Sequence, residues 1–125
     1  MRGLLIKKPW LDEILDGAKR WEIRGSRTTR RGEIALIESG TGTVVGTAEL
    51  VDVIGPLDLR RLRDHAADAG FVAAALPYTE TYAWVLAGPR RLTRPVRYRH
   101  PPGAVIWVKL APSVTRAIER HRGGR

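Results

Sequence analysis

Residues 17–24 read GAKRWEIR, and in this stretch the end of a helix runs directly into a β-strand. Upstream of it, apolar residues spaced three and four apart form one face of a short helix. Gly17 suits the left-handed position that commonly ends such a helix. From residue 20 onward, polar and apolar side chains alternate, which is typical of a half-buried strand. The stretch therefore predicts a helix, a turn and a strand in that order.

The same stretch brings charged side chains close to one another. Glu22 and Arg24 are two residues apart on the predicted strand, so they project from the same face and can touch. Trp21 and Ile23 are then expected to point inward to the core. Lys19 lies in the turn, which can swing its ammonium group towards Glu22, whereas strict strand register would place it with Trp21. A carboxylate beside such cations stays ionised and can accept a proton or a nucleobase amino group.

Outward from this stretch, the chain is an alternation of short strands and helices, with Gly and Pro at most boundaries. Gly46 lies inside a predicted strand and indicates a bulge or a close approach of two backbones. Pro89 is expected to interrupt the strand that precedes it. The predicted strands cover residues 3–7, 20–24, 33–38, 44–53, 81–87, 96–99 and 104–110. The predicted helices cover residues 9–16, 57–69 and 113–122, and residues 123–125 are expected to fray.

These elements predict an α+β fold that is mainly β, with about six strands and two or three helices. The absence of βαβ repeats disfavours a parallel doubly wound sheet and favours a small closed or nearly closed barrel with helices at its ends. The chain has 125 residues, which is one domain's worth. We expect the barrel to occupy residues 1–111 and a short basic helix and tail to occupy residues 112–125.

The spacing G-x-K-x-x-E-x-R of residues 17–24 resembles the signature of the ASCH (activating signal cointegrator homology) domains, a branch of the PUA-like superfamily. Other stretches are similar as well, namely KPW at residues 8–10, VGTA at 45–48, YAWVL at 82–86 and PGAVIW at 102–107. The resemblance covers the chain as far as Leu110 and implies a PUA-like β-barrel.

The resemblance also implies a function, since ASCH-like proteins bind RNA or nucleotides and some are enzymes. In one group, a small amidohydrolase that removes an acyl group from modified cytidine, the signature lysine acts with a threonine and a downstream glutamate. Lys19 matches that lysine, but Glu22 stands in place of the threonine. The region near Asp68 and Ala69 offers no counterpart of the glutamate. Another member is linked to RNA cleavage. These departures move the expectation from deacylation towards binding.

Charge points to the same kind of partner. Lys and Arg number 22 against 13 Asp and Glu, which gives a formal net charge of +9. Basic residues concentrate over residues 19–31 and 90–99, and most are arginines, whose planar fork suits phosphate. Such an excess is typical of proteins that bind a polyanion, because each neutralised phosphate releases counterions. We therefore expect RNA or another single-stranded nucleic acid as the partner.

Several other classes of protein are disfavoured. The chain has no cysteine, which removes disulfides and thiolate metal sites and fits a reducing compartment. The apolar run at residues 4–6 is too short for a signal peptide or a membrane span, so we expect a cytoplasmic protein outside the membrane. His65, His100 and His121 are not spaced as metal ligands. Neither a metal nor a cofactor is expected.

The predicted cleft lies between the first helix, the signature strand and the strand that holds Tyr82. Lys19 and Glu22 are the candidate catalytic residues. The candidate nucleic-acid-binding residues combine cations for phosphates with aromatic rings for bases. They are Lys8, Trp10, Arg24, Arg27, Arg30, Tyr82 and Arg90, with Tyr78 behind them.

Three functions are compatible with this pattern. The first is a module that captures a splayed nucleotide of RNA. The second is an enzyme, a ribonuclease or a modified-nucleoside amidohydrolase, that uses Lys19 and Glu22. The third is an interaction domain whose basic surface meets an acidic protein.

Overall fold

Six strands and four short helices make up the computed structural model, which describes residues 1–122. The strands are β1 (Arg2–Ile6), β2 (Trp21–Arg24), β3 (Gly32–Glu38), β4 (Thr43–Ile54), β5 (Tyr82–Arg97) and β6 (Trp107–Lys109). The helices are α1 (Trp10–Leu15), α2 (Leu59–Asp64), α3 (Ala66–Ala69) and α4 (Pro112–Arg120). The end that was expected to fray, residues 123–125, lies outside the described residues.

The strands form one mixed sheet in the order β2-β5-β4-β3-β1-β6. Strands β1 and β3 are parallel, and the other four pairings are antiparallel. The sheet curls into a half-barrel whose open side lies between its two edge strands, β2 and β6. The prediction of a mainly β, α+β fold with about six strands is therefore confirmed. None of the helices in residues 1–122 has the length and apolar character needed to cross a membrane.

Strand β5 runs without a break through Pro89, where an interruption was predicted. Its pairing with β4 leaves Gly88 and Pro89 opposite the single residue Ala48, which is the arrangement of a β-bulge. Proline is tolerated in a bulge because no ladder hydrogen bond there needs its missing N–H. The two predicted strands on either side of Pro89 are therefore one long, bent element.

The helix predicted over residues 57–69 is divided into α2 and α3 at His65. The backbone of His65 leaves helical geometry, with φ −108° and ψ 30°, and its ring stacks on Trp21 with the ring centres 4.4 Å apart. Asp58 caps the start of α2 by accepting a hydrogen bond of 2.8 Å from the backbone N–H of Arg61. The last strand is also shorter than predicted, because β6 begins only at Trp107.

Apolar side chains pack in three clusters. The main cluster fills the concave side of the sheet, where the apolar face of α1 packs against residues such as Leu36, Leu50 and Trp84. A second cluster takes the alternate residues of β1 and β3 and so lies on the opposite face of the sheet, where α4 contributes the fully buried Ile118. The third lies on the outer side of β2 and β5, beneath α2 and α3. Each large apolar side chain buried in this way contributes about 1.5–3 kcal/mol.

Both faces of β2 are largely buried, whereas the prediction buried only the face that carries Trp21 and Ile23. Trp21 and Ile23 pack outward into the cluster beneath α2 and α3. Glu22 pairs with Trp84 across the strands and therefore faces the concave side. The alternation identified the two sets of side chains correctly. The predicted burial of Trp21 and Ile23 in a core is confirmed, but that core lies on the outer side of the edge strand because a helical layer covers it there.

Gly46 tests how closely β4 packs against its neighbours. A Cβ atom at this position would clash with Leu15 Cδ2 and would lie 2.7 Å from the carbonyl oxygen of Arg90. Because that oxygen belongs to the backbone and cannot turn away, we expect Gly46→Ala to lower the free energy of unfolding by about 3 kcal/mol, the upper end of the range for overpacking. Urea denaturation followed by circular dichroism measures the change.

The matched control is Gly103→Ala, which separates a steric clash from backbone strain. Gly103 has a φ of +79° and open space around the position of its missing Cβ, so its substitution should cost about 1–2 kcal/mol from the left-handed conformation alone. A smaller loss for Gly46→Ala than for Gly103→Ala would contradict the close approach.

Candidate nucleic-acid interface

A buried cluster of three charged side chains lies at the start of β2. Only 3% of Lys19 and 7% of Glu22 is exposed. Arg24 donates from Nε to Glu22 Oε2 at 3.0 Å, and its terminal nitrogen lies 2.9 Å from the same oxygen. Lys19 Nζ lies 3.9 Å from Glu22 Oε1. The turn after α1 therefore brings Lys19 to Glu22, and each carboxylate oxygen faces one cation.

Lys19 is held behind Glu22 by further contacts. Its ammonium group donates to the backbone carbonyls of Trp21 and Ala69 and lies 5.2 Å from the ring centre of Trp10. Burial lowers the pKa of Lys19, and the nearby carboxylate of Glu22 opposes that shift. The rest of the side chain borders a separate, mainly apolar cavity of about 390 Å³.

Arg24 bridges two strands that do not pair with each other. Its terminal nitrogen donates to the carbonyl oxygen of Leu5 in β1 at 2.7 Å, while its guanidinium group lies 5.6 Å from the ring centre of Trp84. Trp84 in turn stacks on Trp107 of the edge strand β6, with ring centres 5.7 Å apart and an interplanar angle of 15°. The open side of the half-barrel is therefore spanned by side-chain contacts. The edge strands β2 and β6 do not pair with each other.

A cavity of about 220 Å³ opens above Glu22 and Arg24, and we call it the base cavity. Its lining combines one acid, two cations, two aromatic rings and one hydroxyl group. These residues are Leu5, Lys7, Trp10, Glu22, Arg24, Ser39, Tyr78 and Val105. The cavity therefore offers both an apolar surface on which a planar group can stack and polar groups that can read its edge.

The structure brings three of the predicted site residues into the base cavity, namely Trp10, Glu22 and Arg24. Lys8 points elsewhere and pairs with Asp12 at 3.9 Å and Glu38 at 3.7 Å. These ion pairs lie on the exposed surface beside α1. Lys8 was predicted to line the cleft, but the lysine that lines the base cavity is its neighbour in the chain, Lys7.

Tyr82 is not available as an open stacking surface, because only 5% of it is exposed. Its hydroxyl group donates to Glu80 at 3.0 Å, and the guanidinium group of Arg27 lies 4.9 Å from its ring centre. Tyr82 forms part of the main core. The aromatic residue that reaches the base cavity from this part of the chain is Tyr78, of which 44% is exposed.

The remaining predicted cations lie outside the base cavity. Arg27 and Arg30 line an open cavity of about 470 Å³ together with Thr28, Thr29 and Trp107, and the guanidinium group of Arg30 lies 5.5 Å from the ring centre of Trp107. Arg90 is exposed beyond the bulge of β5, where it pairs with Thr47 across the strands. It lies six residues along β5 from Trp84, the residue opposite Glu22.

Sequence reasoning missed Leu5, Lys7 and Val105 as lining residues, and it assigned Ser39 to an ordinary hairpin turn in preference to a contact with phosphate or a base edge. Lys7 follows Leu5 by two residues, so continuing the alternation of β1 identifies it. Ser39 follows the parallel partner of β1, and its backbone N–H donates to Ile6 at 3.0 Å. Val105 lies in an irregular segment whose position no local pattern indicates. Within residues 1–122, no three His, Asp or Glu side chains are grouped as a metal site.

Comparisons with known proteins support the fold that carries this cavity. The sequence model of the ASCH domain family matches residues 4–96. The crystal structure of ASCH from Zymomonas mobilis superposes with a TM-score of 0.71 at 17% identity, covering 95% of this chain and 93% of that chain. Crystal structures of two mutant forms of ASCH from Zymomonas mobilis give a TM-score of 0.70 at 17% and 18% identity. They cover 95% of this chain and 96% and 94% of their own chains. A search of the curated proteins found no match.

The buried ammonium group of Lys19 makes stability depend on pH. Because burial lowers its pKa in the folded chain below the usual 10.5, the unfolded chain binds more protons between the two pKa values. The contribution of this site to stability is therefore fully present above 10.5 and is lost as the pH falls through the folded-state pKa. Relative to Lys19→Met, the wild-type free energy of unfolding should rise from neutral pH towards pH 10.5.

Urea denaturation at a series of pH values measures this difference. Lys109→Met is the matched control, because Lys109 is exposed on β6 and its removal should leave the pH profile unchanged. A wild-type advantage over Lys19→Met that stays constant across the range would contradict the lowered pKa.

Proposed function

We propose that this chain, which belongs to the ASCH domain family, binds single-stranded RNA by taking one nucleotide into the base cavity. The proposal starts from the family, whose domains are associated with nucleic acids. The observation that carries the proposal is the convergence of two aromatic rings with Glu22 and Arg24 in one small cavity. Single-stranded RNA is commonly recognised in this way, through stacking on aromatic rings and hydrogen bonds to base edges.

Each part of the base cavity has a role in this proposal. The rings of Trp10 and Tyr78 stack on the base, an interaction worth about 1–3 kcal/mol per base. The carboxylate of Glu22 only accepts hydrogen bonds, so it selects a base that carries an amino group, as acidic side chains do with cytosine. Arg24 only donates and suits a carbonyl oxygen of the base. Lys19 and Arg24 together offset the negative charge of Glu22, which would otherwise repel RNA.

Cations at and beside the base cavity bind the phosphates in this proposal. Lys7 lies at the rim of the base cavity, and Arg27 and Arg30 line the neighbouring open cavity. The hydroxyl groups of Thr28 and Thr29 add hydrogen-bond partners there. The formal net charge of +9 supports the same assignment, because it favours association with any polyanion.

One observation favours an enzymatic alternative, namely that burial lowers the pKa of Lys19, as it does in lysines that act as bases. The contacts of the two candidate catalytic residues favour binding. Lys19 Nζ donates to two backbone carbonyls, and Arg24 occupies one oxygen of Glu22. Proton transfer by Lys19 would have to break its two contacts first. Binding is therefore the function that we place first.

Tyr78→Ala tests the stacking role. We expect it to lower the affinity for fluorescein-labelled single-stranded RNA by about fivefold to a hundredfold, the loss of one base–aromatic stack, with little change in the unfolding midpoint. Fluorescence anisotropy measures the affinity. The control is Val72→Ala, because Val72 is 78% exposed and lies outside the described cavities. Equal affinities of Tyr78→Ala and wild type would argue against the base cavity. Cleavage of the RNA by wild type during the titration, together with no cleavage by Lys19→Ala, would favour the enzymatic alternative.

Salt dependence tests the phosphate contacts. The logarithm of the affinity should fall linearly with the logarithm of the salt concentration, by about 0.7 for each phosphate of a single strand that is neutralised. Arg27→Ala and Arg30→Ala should each reduce the slope by about that amount, whereas Arg60→Ala, an exposed arginine on α2, should leave it unchanged. If wild type does not bind RNA at low salt, the proposal fails and an acidic protein becomes the partner to test.

A further inference from the structure

The base cavity is one end of a longer groove. It shares Leu5, Lys7, Ser39 and Val105 with a second cavity of about 380 Å³, which continues to Gly40, His100 and Ala104. That second cavity shares Gly40 and His100 with a third of about 240 Å³, which ends at Tyr98. Because neighbouring cavities have lining residues in common, the three form one continuous groove.

The far end of the groove carries a second pair of aromatic rings. The rings of Tyr98 and His100 meet edge to face, with centres 5.8 Å apart and an interplanar angle of 64°. Tyr98 OH lies 2.9 Å from His100 Nδ1, and His100 Nε2 lies 3.0 Å from the carbonyl oxygen of Ala104. Because that oxygen only accepts, Nε2 donates to it, and in the neutral imidazole Nδ1 then accepts from Tyr98. Hydrogen bonds on both ring nitrogens hold the pair in a fixed orientation.

Two glycines line the far end of the groove beside Tyr98 and His100. Gly40 and Gly42 form the β3–β4 turn, with φ values of +87° and +70°, and both line the third cavity. They have no side chains that would fill the space in front of Tyr98 and His100. The backbone N–H of Tyr98 donates to the carbonyl oxygen of Gly42 at 3.1 Å, which holds the turn beside the ring.

The far end is also basic. Arg97 and Arg99 flank Tyr98 in the chain and are exposed. None of the salt bridges within residues 1–122 uses either of them. Lys7 provides a further cation where the first and second cavities meet. A ligand of one nucleotide in the base cavity would leave Arg97 and Arg99, the end of the arginine-rich run over residues 90–99, without a role.

We infer that the ligand is an oligonucleotide that spans the whole groove, with a second base on the Tyr98–His100 pair. The inference rests on the proposed function of the base cavity. With one base held above Glu22, the strand continues past Ser39 and over Gly40, and its phosphates face Lys7, while Arg97 and Arg99 add positive charge beside the far end. Alternating aromatic and basic contacts are the arrangement that binds extended single strands.

The opposite direction along the protein is less suited to a second base. The ring of Trp107 is already stacked on Trp84 at 5.7 Å, and the guanidinium group of Arg30 lies 5.5 Å from its centre. A base could stack on Trp107 only by displacing one of these groups. His100, in contrast, is exposed in the third cavity.

The test compares the affinity of the full chain for 5′-mononucleotides with its affinity for random-sequence hexaribonucleotides, measured by NMR titration and calorimetry. We expect wild type to bind the hexamers at least about tenfold more tightly. His100→Ala and Tyr98→Ala should each lower hexamer affinity by about fivefold or more, the loss of a stacking partner, and should leave mononucleotide affinity unchanged. Tyr78→Ala should lower both affinities.

One control variant and the exposure of His100 keep a folding defect from imitating this result. Tyr98→Phe retains the ring and should retain most of the hexamer affinity. His100 is exposed, so His100→Ala does not depend on core packing, whereas Tyr98 packs partly against the second cluster. Mononucleotides bound as tightly as hexamers, or hexamer binding unaffected by both His100→Ala and Tyr98→Ala, would overturn the inference and leave the proposed function standing. Binding of neither probe would overturn both.

Discussion

The pairing of Glu22 with Lys19 and Arg24 is the constraint on which the rest of the site depends. A carboxylate with 7% of its surface exposed is tolerated only when opposite charges or hydrogen bonds satisfy it. The two cations that satisfy Glu22 also hold the molecule together, since Lys19 bonds to the carbonyl of Ala69 in α3 and Arg24 to the carbonyl of Leu5 in β1. The geometry of the base cavity is therefore inseparable from the closure of the half-barrel.

The half-barrel owes its groove to incomplete closure. Its edge strands β2 and β6 share no backbone ladder, and the gap between them is spanned by the Arg24–Leu5 hydrogen bond and the Trp84–Trp107 stack. A backbone ladder would have sealed this side along its length, whereas two point contacts leave space beside them. The base cavity is part of that space, and the aromatic and basic residues around it are placed by strands whose apolar faces belong to the core.

Much of this arrangement was predictable from local patterns, and the errors have physical causes. Alternation over residues 20–24 identified the side chains that share a face, but not the direction of each face, because α2 and α3 cover the outer side. Pro89 predicted an interruption of the strand, but the strand continues because Pro89 lies in a bulge opposite Ala48. Tyr82 and Tyr78 were both candidates for stacking. Their roles depend on the packing of β5, which buries Tyr82 in the core and leaves Tyr78 at the cavity.

By itself, the sequence determined the family resemblance, the mainly β fold class, the order of most elements and the proximity of Glu22 to Arg24, whereas the structure decided that Lys19 joins them. These follow from spacing over a few residues, which local geometry converts directly into neighbouring side chains. Only the tertiary structure decided which cations reach the cavity, where Lys7 takes the place predicted for Lys8. It also decided which residues of distant segments line the same cavity, as Leu5, Ser39 and Glu22 do. Those contacts depend on sheet order and strand register, which join residues far apart in the chain and leave no local pattern.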